Sequence, residues 1–231
     1  MIDVVMTVAA QNRNEVPSRP VYVRHGGCVA GSGAPVEQIR AELLEVARAL
    51  LSEHGVDGVS LEAIGAAAKT APRAVRAAFP SRETCSVALL KVLGSEFSDA
   101  MRRACEGEDS WLDSVRAALF ELLARLDENA NVARFLVLGS LSDGADMFAH
   151  RRRQLIALAN ALEERRPETS CEAVAAPFGA EASVNAVAVV LRGRLLEDPV
   201  PSLVDLTGSL TALLITPYLG VAAAREEMLR S

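Results

Sequence analysis

The sequence predicts an all-α protein of about nine helices, arranged as a small N-terminal three-helix domain and a larger C-terminal helical domain. Half of the 231 residues are hydrophobic but only 4% are aromatic. The apolar residues are mainly Ala, Leu and Val, which favour helices packed on helices. Apolar residues recur with helical spacing from Val36 onward, and no segment after residue 35 alternates in the manner of a strand.

Residues 1–35 differ in composition from the rest and are expected to form a flexible arm. They contain Pro17, Pro20 and Pro35 and four glycines, without a persistent hydrophobic period. The first ten residues are apolar, but their only charge is the negative Asp3, whereas a secretory signal starts with positive charge. The four cysteines are widely spaced without a CxxC motif, so we expect free thiols in a reducing cytoplasm.

Residues 36–82 are predicted to form three helices in close succession. An apolar helical face begins at Ile39, and Gly55 ends this first helix. Ser60 is a good N-cap for a second, short helix that ends near Ala68. Pro72 suits the first turn of a third helix that ends near Phe79. Two short helices joined by a tight turn and packed on a longer one form a helix-turn-helix arrangement.

Residues 83–231 are predicted to form the larger helical domain. A long helix continues to about Cys105, and the helical segments after it cover 111–126, 131–141, 143–166, 184–195, 203–214 and 221–229. The uncharged run from Leu206 to Ala224 approaches membrane-spanning length. Its Thr, Ser, Gly and Pro residues favour a buried helix that breaks at Pro217, so we expect no membrane partner.

The third helix has an apolar back and a basic front. Val75 and Phe79 are four residues apart and face the first two helices, whereas Arg73 and Arg76 are three apart and face the other way. Residues 63–82 contain four basic residues and no acidic one, although the whole chain has a net charge of −6. The acidic excess lies after residue 104, so a nucleic-acid duplex is attracted to the helix-turn-helix end.

The N-terminal helical segment resembles a known family. Residues 39–90 are similar to the DNA-binding domain of TetR/AcrR-type bacterial regulators, through His54-Gly55, then Val59-Ser60-Leu61, then Ala63-Ile64-Gly65, and then Phe79-Pro80-Ser81-Arg82-Glu83. The resemblance implies that residues 36–82 bind double-stranded DNA and that residues 83–231 bind an effector and form a homodimer. It implies these DNA-contacting residues: Arg40, Ser60, Lys69, Thr70, Ala71, Pro72, Arg73, Ala74, Arg76 and Arg82.

Three of these residues depart from the family pattern. The family usually has Gly where Lys69 stands, because that turn residue favours a left-handed backbone; a non-Gly residue there costs about 1 kcal/mol. Ala71 replaces the usual Ser or Thr cap of the third helix. Arg76 replaces a common Tyr that contacts phosphate. Arg73 is the best candidate for a base contact, because a guanidinium group matches the edge of guanine.

The bulky apolar residues of the central helices are either plain core or the lining of an effector pocket, which the family encloses in this region. These candidates are Trp111, Phe120, Phe135, Met147 and Phe148. The stripes 184–195 and 203–214 are too apolar for two exposed helices. They either pack inside the monomer or form a four-helix bundle between two subunits, and an isologous dimer matches a palindromic site.

The sequence therefore favours a cytoplasmic, ligand-responsive transcriptional repressor, released from a palindromic operator by a small molecule. The alternative is a helical dimeric module that binds a small molecule or a protein and whose degenerate helix-turn-helix no longer reads DNA. An enzyme is the third hypothesis, but the sequence has no recognisable nucleophile–base, metal or cofactor motif, and the three histidines are far apart. Clusters such as Arg151–Arg153, Asp127-Glu128 and Glu163-Glu164 are expected to be solvated charge.

Overall fold

The computed structural model describes residues 36–139, 144–164 and 179–230. Across these ranges the chain is all-α, as predicted, with nine α-helices, two short 3-10 turns and no strand. The helices are α1 Val36–His54, α2 Leu61–Ala67, α3 Pro72–Ala78, α4 Arg82–Cys105, α5 Trp111–Glu128, α6 Ala130–Val137, α7 Ala145–Glu164, α8 Gly179–Leu195 and α9 Thr207–Met228. The expected flexible arm, residues 1–35, and the end of the predicted helix 143–166 lie outside the described residues.

The helix starts carry the caps that the sequence predicts. The side chain of Ser60 accepts a hydrogen bond from the backbone N–H of Ala63 at 3.1 Å, which caps α2. Ser81 and Thr84 form a reciprocal capping box at the start of α4, and Ser110 caps α5. Because each cap satisfies amide groups that a helix start leaves unpaired, these three residues fix where the helices begin.

Two apolar cores stabilise the fold, and α4 contributes to both. The first core joins α1, α2 and α3 to the first half of α4, and also takes in Val132 and Phe135 of α6 and Met147 of α7. The second core lies among α5, α7, α8 and α9. Phe97 of α4 and Leu136 of α6 pack against both cores, so the three-helix region and the larger helical region share packed side chains.

Polar contacts also hold α1 against the helices behind it. Arg48 of α1 donates a hydrogen bond at 2.8 Å to the carboxylate of Glu96 on α4. One turn further along α1, the side-chain amides of Asn129 and Asn131 both donate to the carbonyl oxygen of Ser52, at 3.2 and 3.0 Å. The position of α1 is therefore tied to both α4 and α6.

The last helix, α9, bends at Gly220 rather than at Pro217, where the sequence pattern placed the break. The helix continues through Pro217, and Gly220 adopts φ 80° and ψ 177°. Proline removes one N–H and crowds the preceding turn, but the actual change of direction uses a left-handed backbone, which glycine adopts without a Cβ penalty. A Cβ on Gly208 would lie 3.0 Å from the carbonyl oxygen of Glu227, so the end of α9 returns to its start.

One segment among the described residues, Val204–Met228, is long and apolar enough to cross a membrane by length and composition alone. Core helices pass the same test. Here Leu210, Ile215 and Tyr218 are buried in the second core, and the carboxylate of Glu227 is buried in an ion pair with Arg116 of α5. These contacts agree with the predicted buried helix.

Three charged residues that the sequence pattern assigned to solvated clusters have structural partners instead. Asp127 accepts hydrogen bonds from the backbone N–H groups of Leu203 and Val204, at 2.9 and 3.0 Å, before α9. Glu163 accepts a hydrogen bond at 2.8 Å from the hydroxyl of Tyr218. Arg151 donates to the carbonyl oxygens at the end of α6. Unpaired backbone groups and a buried phenol need such partners, and sequence spacing does not reveal them.

The two cysteines in the described residues, Cys85 and Cys105, are free and buried. Burial raises the pKa of the Cys85 thiol to about 11, so this thiol stays protonated at neutral pH. This agrees with the expectation of free thiols for this part of the chain.

His150 of α7 is buried, and neither ring nitrogen has a hydrogen-bond partner among the described residues. Burial, aided by the positive charges of Lys91 on α4 and of Arg153 and Arg151 on α7, lowers the pKa of His150 from 6.5 to about 4. The imidazole is therefore neutral at pH 7, in a place where a positive charge is unfavourable.

We expect acid to destabilise the fold through His150. Between pH 6.5 and about 4 the unfolded chain binds a proton that the folded chain does not. The contribution of His150 to the free energy of unfolding is therefore fully present above this window and is lost as the pH decreases through it. The loss is up to about 3 kcal/mol. Urea unfolding at a series of pH values measures the loss. The His150→Leu variant should lose less stability across the same window, and an unchanged slope in that variant would contradict the assignment.

Candidate nucleic-acid interface and effector cavity

Helices α2 and α3 meet closely because of a glycine. A Cβ added to Gly65 would lie 3.1 Å from a methyl group of Val75, a distance at which the neighbouring side chain has to shift. The backbone N–H of Thr70 donates to the carbonyl oxygen of Gly65 at 2.9 Å, which closes the turn after α2. The short turn therefore fixes the angle between the two helices.

Helix α3 has the buried back and the exposed basic front that the sequence predicts. Val75 and Phe79 are 1% and 0% exposed and lie in the first core with Ile64. Arg73 and Arg76 are exposed on the other side. Neither guanidinium group forms an ion pair or hydrogen bond with another described residue, so both remain available to an anionic partner.

The turn between α2 and α3 contains the left-handed residue that the departure from the family pattern predicts. Lys69 has a φ of 51°, the one positive φ of a non-glycine residue in the described chain. Thr70 donates its hydroxyl to the carbonyl oxygen of Ala68 at 3.2 Å. Ala71 is the N-cap of α3 and provides no side-chain hydrogen bond. The lysine is therefore held in a strained conformation, with its side chain exposed.

Replacing Lys69 with glycine should stabilise the protein by about 0.5–1 kcal/mol, because glycine adopts a positive φ without the steric cost. Chemical unfolding of the two proteins measures this difference. The matched control is Ala66→Gly, one turn earlier in α2, which should destabilise by about 1 kcal/mol. If both glycine variants lost stability, the strain at Lys69 would be disproved.

Arg40 and Arg82 both have partners within the fold. Arg40 donates to the carbonyl oxygen of Ala78 at 2.6 Å, and its guanidinium carbon lies 4.4 Å from the centre of the Phe79 ring. Arg82 donates to the carbonyl oxygen of Val56 at 2.7 Å. These contacts position the arginines at the two ends of the α2–α3 unit, and neither bond was foreseen from sequence.

The remaining candidate residues lie on the α2–turn–α3 unit. Ser60 and Thr70 are half-buried, as is Ala74, whereas Pro72 and Ala71 are exposed. The structure thus brings the candidates into one region of the chain around α3, with Arg40 contributed by α1 and Arg82 by the start of α4. An exposed, locally basic helix of this kind can enter a groove of a duplex.

A cavity with about 100 Å³ of free volume lies within the larger helical region, lined by residues of α4, α5, α7, α8 and α9. Trp111, one of the five candidates for an effector pocket, lines it. The other four candidates lie elsewhere: Phe120 and Phe148 are 49% and 71% exposed, and Phe135 and Met147 are buried in the first core. These residues were chosen as pocket candidates because their side chains are bulky, but bulky buried side chains fill space rather than enclose it.

Sequence reasoning missed the residues that do enclose the cavity. They include Met101, Ala118, Ala161 and Val187. The available signal was the pair of alanines on the apolar faces of α5 and α7, because small residues at core positions leave room between helices. No group of three or more His, Cys, Asp or Glu side chains in the described ranges could hold a metal ion.

The structure has a tight helix-turn-helix with an exposed cationic second helix, followed by a larger helical region. This is the arrangement of helix-turn-helix DNA-binding regulators. Residues 43–89 match the family described as "Bacterial regulatory proteins, tetR family". This match covers α2, α3 and parts of α1 and α4. Over these residues the chain is similar to the N-terminal, DNA-binding region of tetR-family bacterial regulatory proteins.

Solved structures show that the likeness in fold extends over most of the chain. The fatty acid degradation regulator FadR from Bacillus halodurans has a TM-score of 0.64 at 15% identity, covering 80% of this chain and 97% of that chain. FadR from Bacillus subtilis, solved with stearoyl-CoA, has a TM-score of 0.64 at 15% identity, covering 77% and 98%. RolR in complex with resorcinol has a TM-score of 0.58 at 20% identity, covering 85% and 95%. No curated protein sequence matches the chain.

Proposed function

We propose that the protein is a cytoplasmic, homodimeric repressor that binds a palindromic operator and is released by a small-molecule effector. In this proposal residues 36–82 form the DNA-binding domain, residues 83–231 form the effector-binding and dimerisation domain, and residues 1–35 form an arm. The observation that carries the proposal is the front of α3, where Arg73 and Arg76 are exposed without intramolecular partners while Val75 anchors the back. Transcriptional regulation needs no catalytic group, so we propose no enzymatic activity.

The proposed contacts to DNA divide by their surroundings. Arg73 and Arg76 have free guanidinium groups and supply base-edge and phosphate contacts in the major groove. Ser60, at the start of α2, and Lys69, in the turn between α2 and α3, supply phosphate contacts. Arg82 contacts phosphate while its guanidinium also donates a hydrogen bond to the carbonyl oxygen of Val56. Arg40 acts mainly by holding the end of α3, through Ala78 and Phe79.

The proposed dimer uses the outer faces of α8 and α9. Ala182 and Val189 of α8, and Leu196 directly after this helix, recur every seven residues and are exposed. Leu206, directly before α9, and Leu213 within it are also seven residues apart and are only half-buried. A large exposed apolar face marks an interaction surface, and two copies of it, related by a twofold axis, form a four-helix interface.

The Val189→Glu, Leu196→Glu double variant should convert the dimer to a monomer, because it places two charges in each half of the apolar face. Sedimentation velocity measures the mass in solution. Val36→Glu changes another exposed valine, at the start of α1 and away from α8, and should remain dimeric. A double variant that stays dimeric would rule out this face.

Effector binding is coupled to DNA binding through α4 in this proposal. Leu89 and Leu93 lie in the first core, Phe97 packs against both cores, and Met101 lines the cavity. These four residues are each four positions apart and so follow one face of the helix. A ligand that moves Met101 shifts the end of α4 that supports α3, which changes the separation of the two recognition helices in the dimer.

The test is a genomic-fragment binding selection with the purified protein. We expect enrichment of a palindromic site whose binding weakens as salt rises. A folded dimer that enriches no site at low salt would refute DNA reading and leave the alternative, a module with a degenerate helix-turn-helix that binds a small molecule or a protein.

A further inference from the structure

Building on the proposed function, we infer that the effector is a compact, uncharged, hydrocarbon-like molecule of about the size of a benzene ring. The inference rests on three properties of the cavity: its lining, its free volume and the way its few polar groups are used. Together they select against ionised ligands and against ligands with several hydrogen-bonding groups.

Among the described residues, the lining of the cavity contains no charged side chain. Thirteen residues line it, and all are apolar except Ser114. Transferring an ionised carboxylate or phosphate from water into such surroundings is strongly unfavourable unless a partner charge compensates it. The lining residues that the structure describes supply no such charge, so they offer an anionic ligand no electrostatic stabilisation.

The polar groups at the cavity wall offer little to a polar ligand. The indole N–H of Trp111 donates to the carbonyl oxygen of Leu162 at 3.3 Å. Behind it, the Trp111 and Tyr218 rings meet edge to face, with centroids 5.1 Å apart, and the Tyr218 hydroxyl donates to Glu163. Ser114 is the one lining residue with a hydroxyl. A ligand with two or more polar groups therefore loses hydrogen bonds to water without replacing them.

The free volume sets the size of the ligand. About 100 Å³ is available, well below the roughly 300 Å³ at which pockets for drug-sized ligands begin. It is comparable with engineered apolar cavities of about 150 Å³, which remain dry and bind benzene. A single small ring or a short branched alkane fits this space.

The chain provides a direct reporter, because Trp111 is its only tryptophan and lines the cavity. Titration of the full-length protein with toluene, followed by tryptophan fluorescence, should give a saturable change. Sodium benzoate is the charged near-isostere and resorcinol the dihydroxylated ring; both should bind about tenfold more weakly or worse, because each carries polar groups that the lining cannot satisfy.

A filling variant locates the binding. Ala161→Leu places a larger side chain in the cavity wall and should weaken toluene binding about tenfold or more. Ala118→Leu fills the cavity from α5 instead. It replaces the first variant if circular dichroism shows that Ala161→Leu does not fold. Ala49→Leu makes the same change at an exposed site on α1 and should bind toluene as the wild type does.

The outcomes separate this inference from the proposed function. Saturable toluene binding that both cavity variants weaken and Ala49→Leu retains supports the ligand class. Tighter binding of benzoate or resorcinol, or no fluorescence response to toluene, overturns the ligand class even if the operator is still bound. If toluene binds in the cavity but operator affinity is unchanged by it, the ligand class stands and ligand-controlled release fails.

Discussion

The Arg73→Ala, Arg76→Ala double variant is expected to bind the selected operator about 100-fold more weakly than the wild type, or worse. Each guanidinium contributes a base-edge or phosphate contact worth about 1–3 kcal/mol. Loss of two positive charges should also reduce the salt dependence of binding by about two units of slope. Fluorescence anisotropy of a labelled duplex, titrated at several salt concentrations, measures both quantities.

This loss should occur without unfolding. Both arginines are exposed and make no ion pair or hydrogen bond with other described residues, so stability should change by less than about 0.5 kcal/mol. The matched control is Arg152→Ala, Arg153→Ala, which removes two adjacent exposed arginines from α7. If that control lost as much affinity as the α3 variant, binding would depend on overall charge and the assignment of α3 would be wrong.

Phe79→Ala is expected to cost about 3–5 kcal/mol of unfolding free energy, the usual result of removing a buried aromatic ring. Phe79 is fully buried in the first core and lies beneath the guanidinium of Arg40. It also ends α3, because its backbone N–H donates to the carbonyl oxygen of Val75. The variant should therefore lose operator binding together with stability, as measured by urea unfolding at fixed protein concentration.

The chain provides the same substitution in a different environment. Phe148 on α7 is 71% exposed, so Phe148→Ala should change the unfolding free energy by less than about 0.5 kcal/mol. Equal costs at the two positions would show that Phe79 is not the anchor of the helix-turn-helix core.

The helix-turn-helix was predictable because its physics is local. Ser60 and Ser81 cap helices through residues only three positions away, and the four-residue spacing of Val75 and Phe79 determines which side of α3 is buried. The left-handed backbone at Lys69 was predicted from the family resemblance, because the family usually has glycine at this turn position.

The cavity and the buried polar contacts were not predictable, because they join residues far apart in the chain. Trp111 meets Leu162 and Tyr218 only after α5, α7 and α9 have packed together. The sequence predicted a solvated Asp127, but in the fold its carboxylate accepts a hydrogen bond from the backbone before α9. Periodicity identifies which face of a helix is apolar, but not whether a residue on that face fills space, lines a cavity or meets a second subunit.

Operator binding by the intact dimer tests most directly whether α3 binds DNA. The affinity for the palindromic operator obtained by fragment selection is measured as a function of salt concentration, for the wild type and for the Arg73→Ala, Arg76→Ala variant. We expect two chains per palindrome, affinity that falls linearly on a logarithmic scale with salt, and loss of both affinity and slope in the variant. A folded dimer that binds no site at low salt, or a variant that binds as the wild type does, would show that α3 is not the DNA-binding helix.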